Sequence, residues 1–190
     1  MSQSSRRRLA YASIAVVTVL CIVGVSVLAV AAGGSALAYE VNGSRVSQHT
    51  VDDQLKDLAD STPAKKASQT DGSIDSRATA QVLTLNIARD VLRDTAEHRG
   101  VKVTDADRSA AKSAVGSQLA QYPASYREVI LDLRAHGNAL GLTSDDQLNT
   151  FLARQFRRAD VRVDPRYGTW HPNIGVCPPT GCASITQATG

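Results

Sequence analysis

Acidic side chains are missing from the first 38 residues, which hold Arg6, Arg7 and Arg8 but no Asp or Glu. Cysteine is scarce too, at three in 190 residues, which excludes a disulfide-rich miniprotein. With 13 Gly and 6 Pro, a collagen-like repeat is excluded, and 43% hydrophobic residues are too many for a fully disordered chain. No glycine-rich phosphate loop, zinc-protease motif or nucleophile elbow occurs. The sequence pI near 8.9 invites a nucleic-acid reading. The excess charge lies wholly in the leader, however. Of 21 Lys+Arg and 18 Asp+Glu, removing the three leader arginines leaves 18 of each sign in 39–190. Nucleic acid is therefore not expected as a partner.

What is present starts with an address. An apolar run of 24 residues extends from Leu9 to Ala32. As a helix it would span about 36 Å, against a hydrocarbon core of about 30 Å. Arginines ahead of it hold the N-terminus in the cytoplasm and place the rest outside. Ala36-Leu37-Ala38 has the small-x-small pattern of a signal-peptidase site, which would release a chain starting at Tyr39. The run exceeds the ~7–15 residues of a signal core, which favours a retained anchor. Residues 1–38 thus read as a signal peptide or membrane anchor. Cys21 follows Leu20, not the small residue of a lipidation site, and Ser5-Arg6-Arg7-Arg8-Leu9 only loosely echoes a twin-arginine signal.

The exported part reads as mainly α. Tyr39-Glu40-Val41 predicts a short strand ending in an Asn42-Gly43 turn. Ser47 predicts an N-cap, and Val51, Leu55 and Leu58 make the apolar stripe of a helix reaching about Asp60. No periodicity survives from 61 to 76, which reads as a mobile loop. Ala80, Leu83, Ile87, Val91 and Leu92 give a second helix over about Arg77–Arg99. Arg89, Asp90, Arg93, Asp94 and Glu97 are expected on its outer side. Thr104 caps a third helix, with Ala111, Val115 and Leu119 inward. After Pro123 comes a fourth, carrying Tyr126, Val129, Ile130 and Leu133. The capping box Ser144-Asp145-Asp146-Gln147 opens a fifth, with Leu148, Phe151, Leu152 and Phe156. Val161-Arg162-Val163 alternates like a strand and stops at Asp164-Pro165. Two short strands flanking five helices can pair and bring the ends of a 39–172 domain together. Residues 173–190 read as a flexible tail with a cysteine clip. In an oxidising compartment, Cys177 and Cys182 around a Pro-Pro-Thr-Gly turn predict a local disulfide.

Chemistry is sparse. His49, His98, His136 and His171 are scattered, and none has a partner at metal spacing. Neither metal nor cofactor is expected. Arg154, Arg157 and Arg158 suit the C-terminal dipole of the fifth helix.

Three stretches carry a resemblance. Val41-Asn42-Gly43 precedes a capped helix containing Val51-Asp52-Asp53-Gln54-Leu55; Arg99-Gly100-Val101-Lys102-Val103-Thr104-Asp105-Ala106-Asp107 joins the second and third helices. The domain closes on Val161-Arg162-Val163-Asp164-Pro165-Arg166-Tyr167-Gly168-Thr169-Trp170. In this order, over roughly 39–171, they resemble the N-terminal domain of SurA-type extracytoplasmic chaperones and foldases, in its actinobacterial form. The resemblance implies a five-helix domain that binds unfolded or partly folded exported polypeptides without ATP. Many relatives add a parvulin-type prolyl isomerase domain. No room for one remains between the fifth helix and Trp170, so isomerase activity is not expected. No family motif defines the client-binding residues. On physical grounds the candidates are Tyr122, Tyr126, Phe151, Phe156 and Trp170, which supply apolar area. Phe151 and Tyr126 also lie on core stripes. A clustered exposed apolar patch would favour chaperoning. A mostly polar surface would favour a cell-envelope subunit holding one partner, and a deep pocket of perturbed titratable groups an enzyme.

Overall fold

Asn42 and Gly43 both take positive φ, 49° and 86°. That is the signature of a type I′ turn, whose twist matches paired strands. The chain therefore reverses at once, from β1 (Leu37–Val41) into β2 (Ser44–Ser47). A computed structural model describes residues 36–61, 76–179 and 182. The apolar run Leu9–Ala32 and residues 62–75 of the expected loop lie outside these. Among the described residues, no helix is long and apolar enough to cross a membrane.

The protein is mainly helical. Ser47 ends β2 and caps α1 (Gln48–Asp60) by accepting the Thr50 N–H at 3.3 Å. Among the described residues α2 (Ser76–His98) is the longest helix, and α4 (Ala124–Ala139) packs against both it and α3 (Asp105–Leu119). Reciprocal capping boxes start α3 (Thr104 with Asp107) and α5 (Asp145–Phe156, Ser144 with Gln147). The Asp107 carboxyl, accepting from the Thr104 side chain and N–H, is held below the usual carboxylate range. Each such cap contributes about 1 kcal/mol.

The ends of the domain meet. β1 pairs antiparallel with β3 (Val161–Val163), Tyr39 opposite Val163 and Val41 opposite Val161. The strand order β2-β1-β3 puts β1 in the middle. β2 was not expected: Ser-Arg-Val-Ser carries one apolar residue, and only the turn makes it a strand.

The chain beyond Asn173 corrects the expectation of an unstructured tail. β4 (Thr169–His171) and β5 (Gly175–Cys177) form a second antiparallel pair, and β5 is buried throughout. The Val176 N–H donates to Thr84 Oγ1 at 2.8 Å, and that hydroxyl donates onward to the Ala80 carbonyl. Gly168 lets the hairpin close: a Cβ there would lie 2.0 Å from the Cys177 carbonyl oxygen. The partner that orders β5 lies 92 residues away on α2. Local pattern does not reveal such a partner. Cys177 and Cys182 stand at disulfide distance, their Cα atoms 4.9 Å apart.

Two core clusters result. The larger gathers the sheet, α1, the Ala80–Val91 stretch of α2 and the α3–α4 turn around Tyr39, Val51, Leu83, Ile87 and Val91. The smaller holds Ala88, Leu92, Leu133, Leu148, Phe151 and Leu152, where α2, α4 and α5 meet.

Candidate functional site

A shallow hollow of about 460 Å³ opens where α1 ends beside the α3–α4 turn. Its rim comprises Asp57 and Asp60 of α1 with the capping Ser61, Gln121, Tyr122 and Pro123 of the α3–α4 turn, and Ala124 at the start of α4. Local sequence builds both sides. Ser61 finishes α1 with its N–H and hydroxyl both on the Leu58 carbonyl, at 3.0 and 2.6 Å. Pro123, extended at φ −62° and ψ 157°, stops one helix and starts the next, because proline lacks the N–H a helix interior needs. Arg127 Nη1 donates to the Tyr122 carbonyl at 3.1 Å, fastening the turn. Ser125 Oγ donates to Asp57 Oδ2 at 2.9 Å, fastening α4 to α1.

Tyr122, one of the lining residues, meets Tyr126 with ring centroids 5.2 Å apart and planes tilted 36°. Each is 9% exposed, so the pair is packed and offers no protruding surface. Burial, with Tyr122 adding, pushes the Tyr126 phenol up to about 12, and it stays neutral at physiological pH. The hollow thus presents two carboxylates together with Tyr122. It suits a cationic or polar side chain on an extended peptide.

The other aromatic candidates lie elsewhere. Phe156 meets Trp170 edge to face at 5.0 Å, locking β4 against α5. Phe151 is buried in the smaller cluster, with the guanidinium carbons of Arg99 and Arg154 5.4 and 5.9 Å from its ring centroid. The five residues therefore occupy three places, and only Tyr122 lines the hollow.

The solvent-facing reading of Asp90 is corrected: its residue is 2% exposed. Tyr39 Oη donates to Asp90 Oδ2 at 2.7 Å, while Arg89 and Arg93 reach Oδ1 at 2.9 and 3.1 Å. Burial, then the Asp90 charge, drives the Tyr39 phenol far above its ordinary value. A comparable link ties the end of the domain to α1, Tyr167 Oη donating to Asp52 Oδ1 at 2.7 Å. Burial and that carboxylate raise the Tyr167 phenol as well. Sequence reasoning missed Asp57, Asp60 and Gln121 at the rim. Only the packing of α1 against the α3–α4 turn brings them together.

Among the described residues, no group of three His, Cys, Asp or Glu is placed to hold a metal. No protein-family model matches the chain, and neither the curated proteins nor the solved structures yield a match.

Proposed function

We propose that this domain is an extracytoplasmic, ATP-independent, chaperone-like module of the SurA type, joined to the membrane by its N-terminal apolar segment. Its ligands are unfolded or partly folded exported polypeptides, and it is not an enzyme. The observation that carries this reading is the closure of the fold. The stretches resembling the start and end of that domain meet as β1 and β3, and the third resembling stretch forms the capped α2–α3 junction. The hollow lined by Tyr122 offers a shallow recess of about 460 Å³ for part of such a ligand.

The test uses the chain from Gly33 onward, which keeps β1 whole. At several-fold molar excess and without ATP, it should lower light scattering from an unrelated aggregating protein. Unchanged scattering would count against chaperoning. Asp60→Asn should weaken binding of Lys/Arg-containing peptides by roughly two- to fivefold, the scale of an exposed ion pair, measured by fluorescence anisotropy.

A second reading, a cell-envelope subunit holding one dedicated partner, also has an observation behind it. Ile174, at 43%, is the only large hydrophobic residue exposed among the described residues. A promiscuous chaperone needs a larger apolar surface. Under this reading scattering is unchanged, and cross-linking in the native envelope recovers one stoichiometric protein.

A further inference from the structure

The small-x-small motif Ala36-Leu37-Ala38 would direct a cut that makes Tyr39 the first residue. The structure builds those three residues into the fold. The Ala36 carbonyl accepts the Gln48 N–H at 2.7 Å, and the Leu37 carbonyl accepts Gln48 Nε2 at 3.3 Å. The Ala38 carbonyl accepts the Asp164 N–H at 2.8 Å. Leu37 pairs with Ser47 across the hairpin. Ala38 and Tyr39 are both 0% exposed.

A cut after Ala38 would remove all three carbonyls. The Gln48 and Asp164 amides, on half-buried residues, would lose their acceptors and with them the hydrogen bonds that tie this segment to the start of α1 and the end of β3. The cut would also turn the Tyr39 amide into an ammonium at the start of the central strand, and a charge is costly wherever neighbouring protein limits its hydration. The bonds that hold β1 between β2 and β3 begin upstream of the motif's end.

We propose that Ala36-Leu37-Ala38 is a strand segment and not a processing site, so that the mature protein keeps it and any natural N-terminus lies at or before Ala36. The inference rests on the export reading of residues 1–38, but not on what the domain binds. With the apolar run retained, four residues separate Ala32 from Leu37, and the sheet then starts within about 18 Å of the membrane segment.

The full chain, expressed in a bacterium with a type I signal peptidase, gives the first readout. Intact mass should place the N-terminus at or before Ala36; a chain starting at Tyr39 would overturn the proposal. Ala36 is exposed, so Ala36→Leu should spoil the motif without disturbing the fold. The N-terminal residue read from the mass, and the partition between membrane and supernatant, should both stay as in the parent, whereas a change in either would also overturn it. Amide hydrogen exchange on the full chain supplies a readout independent of location. Gln48 and Asp164 should be protected roughly 100-fold or more, and free exchange at both would refute a built-in segment. An uncut chain found in the cytoplasm would sink the export reading, with hydrogen exchange then deciding this one.

Discussion

The two core clusters are built on different principles. The smaller, between α2, α4 and α5, is aliphatic apart from Phe151 and buries no hydroxyl. The larger, under the sheet, includes Tyr39, Tyr122, Tyr126 and Tyr167. Two of those hydroxyls donate to carboxylates on helices, Tyr39 to Asp90 and Tyr167 to Asp52. An apolar cluster is held by area and shape, and tolerates exchange among hydrophobes of similar volume. A polar-wired cluster fixes which strand lies over which helix, because a misplaced strand leaves a buried hydroxyl or carboxylate without its partner. Helix packing therefore holds the smaller cluster, and named polar contacts set the position of the sheet.

Three substitutions probe the contrast. Leu92, 0% exposed, belongs to the aliphatic side. Leu92→Ala should lower unfolding stability by about 2–5 kcal/mol in urea titration, through lost area and the cavity left behind. Leu92→Met should recover most of that; if it did not, shape rather than area would rule this cluster too. Asp90→Asn tests the wired side. It keeps an acceptor for Tyr39 but discharges the group that Arg89 and Arg93 face. A loss of about 1.5–3 kcal/mol is expected, the range for hydrogen bonds to a charged group. A loss below ~0.5 kcal/mol would mean that the network orders the sheet without stabilising it.

The smallest effect appears only in alkali. Tyr126 carries its phenol proton up to about pH 12 in the folded protein, against 10.0 ordinarily. Its contribution is whole below pH 10 and drains away as pH rises toward 12, by about 1.4 kcal/mol per pH unit. Tyr126→Phe should therefore match the parent near pH 7 and melt later than it at pH 11, by thermal unfolding. Equal alkaline sensitivity in both would assign the loss to Tyr39 and Tyr167.

Legibility in the sequence followed the same division. Stripes such as Val51-Leu55-Leu58 and Leu148-Phe151-Leu152, with their Ser and Thr caps, are local, and all five helices were visible in them. The pairing of β1 with β3 was legible because both strands alternate and flank the helices. β2 and β5 were not: one is made by its turn, the other by Thr84 far away in sequence. Asp90 misled because a charged residue on a helix usually faces water, and nothing near it in sequence announces Tyr39. The hollow was half visible. The tyrosines stood out as rare aromatics, whereas Asp57 and Asp60 looked like any solvated helix face until α1 met the α3–α4 turn.

β1 also sets the timing of assembly. Its last neighbour in the sheet arrives late: the Asp160 N–H reaches back across 118 residues to Asn42 Oδ1. Contacts that distant must close a long loop before they stabilise anything, and they slow folding accordingly. As the chain emerges N-terminus first, the hairpin of β1 and β2 can form early. Its free edge then stays open until Val161–Val163 arrives, so the earliest strand is completed only by the last part of the domain.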